Sequence, residues 1–205
     1  MTGWSIRIYL LCDELLWAVR LNLLWIAFTL LGGVLLGIGP ATVAAYAVAR
    51  RHAMGESFHV RSAFAAVYRR EFARGSLLVL PLLAAGVVLA GDYLYFTASG
   101  AAALRLTTYA ALVALVVVAA YLLPMYAHYD LRPLACLPKA SLFALTRPAA
   151  SVLLLFCLAA AVVAVSSFPI LALTVAVGGW IQLNTWLCLR FFAENEARLH
   201  PKGTI

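Results

Sequence analysis

The stretch LTTYAALVALVVVAAYLLPMY, residues Leu106–Tyr126, contains no charged side chain. An α-helix rises 1.5 Å per residue, so about 20 residues are needed to cross a hydrocarbon layer of about 30 Å. This stretch has both the length and the composition of such a helix. It therefore predicts that the chain crosses a lipid bilayer.

Four other stretches are similarly long and apolar, with Asp92 as their one charged residue. They are Leu21–Ile38, Ser76–Phe96, Ala149–Phe168 and Ile170–Leu189. Little more than Pro169 separates the last two, and proline suits the first turn of a helix. So short a connection predicts two antiparallel neighbouring helices. We expect an all-α fold in which residues 1–205 form a single integral membrane domain, a polytopic bundle of transmembrane helices.

The composition of the whole chain excludes several other classes of protein. Of its 205 residues, 65% are hydrophobic and 11% are charged, whereas soluble proteins contain about 25% charged residues. A soluble fold of this size cannot bury so much apolar surface, and a disordered chain is far less hydrophobic. The net charge of +7 is better explained by membrane orientation than by nucleic acid, so no nucleic-acid partner is predicted.

Lysine and arginine are concentrated in alternate connections between the apolar stretches. There are six in Arg50–Arg74, one in Gly91–Arg105, three in Asp130–Arg147 and three in Arg190–Lys202. Positive residues accumulate on the cytoplasmic side of membrane proteins. The pattern predicts that the first, third and fourth of these segments, and so the C-terminus, lie in the cytoplasm.

The first fifty residues allow two topologies. Gly39 and Pro40 interrupt the apolar residues that follow Leu21, and proline commonly ends or kinks a helix. Either the chain turns at this helix break and a short second helix returns, giving six membrane helices, or a single kinked helix crosses, giving five. Arg7 and Arg20 favour a cytoplasmic N-terminus and hence six helices.

Two segments have the pattern of amphipathic helices. In residues 4–20 the charged side chains lie on one side of a helical projection. This is typical of an interfacial anchor or of an extension of the first spanning helix. Residues 57–74 carry apolar side chains at helical spacing, with Ser57 as a predicted N-cap and Gly75 near the predicted end.

The segment 57–74 is the predicted contact surface for lipid or a partner protein. Its aromatic side chains and its arginines are expected on opposite faces, which fits a helix lying on the inner leaflet or against a cytoplasmic protein. The residues are Phe64, Tyr68 and Phe72 on one face and Arg69, Arg70 and Arg74 on the other.

Polar side chains inside a spanning helix are candidates for function because lipid cannot solvate them. Gln182, Asn184 and Thr185 lie well inside the last apolar stretch. Amides in such positions commonly form hydrogen bonds between helices. We therefore expect packing contacts, with contact to a transported solute as the alternative.

The sequence contains no motif for catalysis or for binding a metal or cofactor. Its four cysteines lack CxxC spacing. The stretch Gly37-Ile38-Gly39 lacks the further glycine, the lysine and the hydroxyl of a phosphate-binding loop. We expect neither an enzyme nor a bound cofactor or metal ion.

Several short motifs, in their order along the chain, resemble the YesL-like family of bacterial integral membrane proteins. They are Asn22-Leu23-Leu24-Trp25, Gly37-Ile38-Gly39-Pro40-Ala41-Thr42, Arg50-Arg51 with Gly55-Glu56, Phe64 with Tyr68 and Phe72, Asp92-Tyr93, and Tyr121-Leu122-Leu123-Pro124. The resemblance covers nearly the whole chain. It implies a multi-pass membrane protein whose relatives are often encoded near carbohydrate-uptake ATP-binding cassette (ABC) transporters, and it supplies no catalytic residues.

Two functional expectations follow. The first is a noncatalytic accessory or assembly partner of a carbohydrate-uptake ABC transporter, with residues 57–74 and 130–147 as its cytoplasmic contacts. The alternative is a self-sufficient carrier or channel for a small solute, in which Gln182, Asn184 and Thr185 contact that solute.

Overall fold

The computed structural model describes residues 3–129 and 133–199, and these residues form helices joined by short turns. The helices are α1 (Gly3–Leu31), α2 (Leu35–Ala53), α3 (Val60–Arg70), α4 (Phe72–Ala98), α5 (Ala102–Tyr129), α6 (Pro133–Thr146), α7 (Pro148–Ser167) and α8 (Val177–Leu199), the last preceded by a π-helical turn at Ala172–Ala176. The predicted all-α fold is confirmed. Asp130 and Lys202, which bound two of the predicted cytoplasmic segments, lie outside the described residues.

Within the described residues, five helices are long and apolar enough to cross a membrane. Their apolar segments are Arg7–Leu31, Phe72–Ala98, Ala102–His128, Pro148–Ser167 and Ala172–Phe192. Large apolar side chains on them point outward, such as Val87, 73% exposed, and Phe156, 71% exposed. Exposing so large an apolar surface to water is unfavourable, whereas lipid solvates it. The chain is a multi-pass helical membrane protein.

The predicted helix break at Gly39 and Pro40 is wrong. The chain turns earlier, at Gly32-Gly33-Val34, and α2 continues through Pro40 to Ala53. Proline has no N–H to donate to the carbonyl four residues before it, which here is that of Leu36. The Ser76 hydroxyl of α4 reaches this carbonyl at 3.0 Å and shares its hydrogen between it and the Phe72 carbonyl of its own helix at 2.7 Å. A neighbouring helix thus replaces the missing hydrogen bond, and α2 stays intact.

The first turns of α2 lie against the first turns of α4. A Cβ atom on Gly39 would lie 2.7 Å from the Gly75 carbonyl oxygen, and one on Gly75 would lie 3.0 Å from the Pro40 Cα atom. The two backbones therefore touch where neither helix has a side chain. The six-helix topology predicted that Gly39 lies at the end of the bundle opposite the Arg50–Arg74 connection. This prediction is wrong, because Gly39 lies beside Gly75, where that connection ends and α4 begins.

The two predicted amphipathic segments have different outcomes. Residues 4–20 are the first half of the unbroken α1, which is the predicted alternative of an extension of the first spanning helix. In segment 57–74, α3 begins after His59 instead of Ser57 and ends before Glu71, and Gly75 lies inside α4. A single residue, Glu71, joins the short helix to the long one.

The connections rich in arginine meet at one end of the bundle. The Tyr126 hydroxyl near the end of α5 donates to Glu71. Arg147, which joins α6 to α7, lies 3.4 Å from Glu194 in the last turns of α8. The short turns that follow α4 and α7 are at the other ends of these helices. Among the described residues, no ion pair joins Asp92 to Arg105 at that other end.

We predict that Gly39→Ala destabilises the protein, because the added methyl group overlaps the backbone of α4. Overpacking of this kind costs about 1–3 kcal/mol. Thermal unfolding of the detergent-purified protein measures the effect. Gly91→Ala is the control, since Gly91 lies in α4 with no atom within 4 Å of the added carbon. Equal unfolding temperatures for the two variants would contradict the close contact.

Candidate functional site

Asn184 links three helices through a single side chain. It is fully buried in α8, and its amide nitrogen donates to the Tyr46 hydroxyl in α2 at 2.8 Å and to the Ala120 carbonyl in α5 at 3.0 Å. Its amide oxygen lies 3.5 Å from the Cys188 thiol. Both amide hydrogens are used. The side chain is therefore engaged in packing, with no donor left for a solute.

The two residues predicted alongside Asn184 have different surroundings. Thr185 is 3% exposed, and its hydroxyl donates to the Ile181 carbonyl of its own helix at 2.7 Å. Gln182 is half-buried and donates to the Glu14 carboxylate in α1. Glu14 also lies 3.4 Å from the His52 imidazole at the end of α2. The structure does not join the three predicted residues into one site.

Asn22 holds α1 against the irregular start of the last helix. Its amide nitrogen donates to the Leu173 carbonyl at 2.7 Å, and its oxygen accepts from the backbone N–H groups of Val177 at 3.0 Å and Gly178 at 3.1 Å. The π-helical turn ends at this point, so Asn22 satisfies backbone groups that lipid would leave unpaired. Sequence reasoning did not single out Asn22 as a site residue, since it lies at the very start of the first apolar stretch, Leu21–Ile38.

Glu71 is a buried carboxylate at the junction of α3 and α4. It is 5% exposed, accepts from the Tyr126 hydroxyl at 2.7 Å, and pairs with the Arg70 guanidinium at 2.9 Å. Buried carboxylates need such partners because desolvation is costly. Sequence reasoning missed this residue. Its one signal is that Glu71 is the only acidic residue in segment 57–74.

The aromatic face of α3 packs into the protein and not onto lipid or a partner. Phe64 is fully buried and Tyr68 is 8% exposed. Both rings lie near the Phe28 ring of α1, with centroid separations of 4.9 Å for Phe64 and 5.0 Å for Tyr68. Burial also raises the pKa of the Tyr68 phenol. The expectation that these two residues contact lipid or a partner is wrong, because α1 and α2 cover them.

The arginine face of the same region is exposed. Arg69 and Arg74 have no ion pair within the described part of the chain, whereas Arg70 pairs with Glu71. Phe72 is 37% exposed at the edge of this surface. We call Arg69, Arg70, Phe72 and Arg74 the arginine face. It remains available for contacts outside the chain.

The arrangement of titratable side chains gives no metal centre. Within residues 3–129 and 133–199, no group of three histidine, cysteine or acidic side chains lies close enough to hold a metal ion. Cys136 in α6 is a buried free cysteine, and burial raises the pKa of its thiol against the opposing effect of Lys139. A protonated, buried thiol is a packing group and a poor nucleophile.

Comparison with known proteins places the chain in a family. A family model described as "Protein of unknown function, DUF624" matches residues 18–93. "Uncharacterized protein YesV" of Bacillus subtilis (strain 168) is 35% identical over 145 residues, which are 69% of this chain and 70% of that protein. The chain belongs to the DUF624 family. "Uncharacterized protein YesL" of the same organism is 30% identical over 142 residues, covering 67% of this chain and 68% of that protein.

This membership confirms the YesL-like resemblance of the sequence. The DUF624 match begins in the second half of α1 and ends near the end of α4, so it includes Asn22, the Gly39–Gly75 contact and Glu71. No solved structure matches the chain.

We predict that Asn184→Ala destabilises the detergent-purified protein by about 1–2 kcal/mol, because the buried Tyr46 hydroxyl loses its partner. Chemical or thermal unfolding measures the loss. Thr97→Ala is the control, since the exposed Thr97 hydroxyl bonds only to its own helix. An effect no larger than that of the control would show that Asn184 does not hold α2 and α5 to α8.

A double-mutant cycle tests the Glu71 junction. We expect Glu71→Ala and Tyr126→Phe to couple by about 1–2 kcal/mol in unfolding free energy, because they share one buried hydrogen bond. The control cycle uses Arg51→Ala and Glu56→Ala, an ion pair with exposed side chains, whose coupling should be close to zero. Additive effects of the first pair would contradict the contact.

Proposed function

We infer that this DUF624 protein is a noncatalytic accessory or assembly subunit of a carbohydrate-uptake ABC transporter in the bacterial inner membrane. The observation that carries the proposal is the arginine face. It is exposed and positively charged, and it lies where α3, whose other face is fixed in the core, meets α4. The carbohydrate transporter as partner comes from the YesL-like resemblance alone.

The way α3 is held makes the arginine face suitable for a protein contact. Phe64 and Tyr68 anchor the helix against α1 and α2, and Glu71 ties its end to α5. A preorganised surface binds at a lower entropic cost than a mobile one. Its positive charge fits an acidic surface on a partner and would steer their encounter. The helix α6, at the same end of the bundle, is the second proposed contact.

The charge distribution supports an orientation in the membrane. We propose that the arginine-rich end of the bundle and the C-terminus face the cytoplasm, following the preference of positive residues for that side. The N-terminus is proposed to face the opposite side, because the five spanning helices of the described residues leave the two ends of the chain on opposite sides of the membrane. The end of α1 supports this, since Gly32, just after α1, lies against Tyr68 near the start of α4.

The buried polar groups favour a noncatalytic scaffold over the alternative of a self-sufficient carrier. Asn22 and Asn184 direct their amides at backbone and hydroxyl groups of other helices. A solute site requires polar groups that are free to bind. Solute flux into liposomes containing the purified protein tests the carrier, and flux that Asn184→Ala abolishes without unfolding the protein would favour it.

Copurification from native membranes in a mild detergent tests the accessory role. We expect the wild-type protein to recover subunits of a carbohydrate transporter, and Arg69→Glu/Arg74→Glu to recover several-fold less because the charge of the face is reversed. Arg105→Glu, at the opposite end of the bundle, is the control. Repeated failure to recover any transporter subunit, together with unchanged sugar uptake in a deletion strain, would refute the proposal.

Introduced cysteines test the orientation. The background is Cys12→Ser, which removes the exposed native cysteine. In intact cells without an outer membrane, we expect Ser99→Cys to react with a membrane-impermeant maleimide. Ser57→Cys should react only after the membrane is opened. Both sites are exposed turns or loops. The reverse pattern would show that the arginine-rich end faces outward.

A further inference from the structure

A groove of about 650 Å³ lies between the middle of α1 and the start of α3. Its apolar part is formed by the α1 side chains Leu23, Leu24 and Ala27. Its polar part is formed by Arg20 of α1 together with His59 and Arg61 at the start of α3. The groove is therefore apolar along one length and basic at one end.

The positive charges in the groove have no ion-pair partner in the part of the chain that the structure describes. Among the described residues, neither Arg20 nor Arg61 forms an ion pair. Both side chains are exposed, and Arg20 directly precedes the uncharged stretch that begins at Leu21, as at headgroup level. Two arginines that line one groove repel each other. An anion from outside the chain would balance both charges.

We propose that this groove binds one anionic glycerophospholipid from the surrounding bilayer. Its phosphodiester lies between Arg20 and Arg61, where guanidinium groups form short charge-assisted hydrogen bonds to phosphate oxygens. The His59 imidazole supplies a further donor. The first acyl carbons follow Leu23 and Ala27 along α1, whose side chains are exposed to the membrane.

The start of α3 adds to the attraction for phosphate. The helix begins after His59 with no side-chain cap, so its first N–H groups and the positive end of its dipole face the basic part of the groove. The arginines and the apolar lining carry the inference, and the helix end adds to them. A soluble anion would leave the apolar part uncovered, whereas a lipid fills both parts.

This inference is independent of the proposed transporter partner. Lipid occupancy would fix α1 to α3 whether or not a protein binds the arginine face. The two proposals also fail separately, because lipid binding is measured with the purified chain alone and the accessory role is measured in native membranes.

Native mass spectrometry of the full-length protein in detergent tests the groove. The probes are dioleoyl-phosphatidylglycerol and dioleoyl-phosphatidylcholine. We expect the anionic lipid to saturate one site at a concentration at least about tenfold lower than the zwitterionic one, as two charge-assisted contacts would give. Arg20→Gln/Arg61→Gln should remove this preference. The control Arg69→Gln/Arg105→Gln, with the same loss of charge outside the groove, should retain it.

A second variant tests the apolar part without changing the charge. Ala27→Trp places a large side chain where the acyl chain is expected, so it should also weaken binding of the anionic lipid several-fold. Ala27 is exposed, which allows this variant to fold. If the double arginine variant does not fold, the Ala27→Trp result decides the outcome.

Four results would overturn the proposal. The first is equal binding of the two lipids by the wild-type protein. The second is unchanged preference in either groove variant. The third is full displacement of the lipid by glycerol 3-phosphate, which would identify the ligand as a soluble anion. The fourth is a change of oligomeric state in the groove variants with lipid binding intact, which would identify a second copy of the chain as the occupant.

Discussion

A backbone group inside a bilayer has no water to bond to, and this constraint shapes the contact between α2 and α4. Pro40 leaves the Leu36 carbonyl without its usual partner, and the Ser76 hydroxyl supplies one. The hydroxyl reaches that carbonyl only because Gly39 and Gly75 allow the two backbones to touch. These glycines, Pro40 and Ser76 together hold the start of α4 against α2. The position of α3, which is joined to α4 by one residue, depends on this contact.

The same constraint explains the contact between α1 and the last helix. The π-helical turn at Ala172–Ala176 disturbs the regular hydrogen bonding of the helix. The Asn22 amide forms hydrogen bonds with the backbone groups that border this turn. Gly178 allows the approach, since a Cβ atom there would lie 2.2 Å from the Ala18 carbonyl oxygen. In both places a break in regular structure is repaired by one polar side chain at a glycine contact.

The sequence predicted the features that bilayer thickness imposes, and it failed where long-range contacts decide. The length and composition of Leu106–Tyr126 are local properties, and the spanning helix that they predict agrees with the structure. Proline after glycine is typical of a helix break, but Ser76 lies far along the chain and cancels that tendency. Phe64 and Tyr68 are apolar on one face, which fits lipid and protein equally well. Glu71 acquires its role only through Tyr126, a residue distant in sequence.

The last helix carries a consequence for how the protein is made. Ribosomes deliver the chain from its N-terminus, so α1 and α2 enter the membrane long before α8 emerges. Until then Asn22 lacks the backbone groups that it binds, and the Tyr46 hydroxyl lacks Asn184. During that time, the early helices hold polar groups that have no hydrogen-bond partner. A product truncated before α8 would keep these groups unpaired, which is unfavourable inside a bilayer.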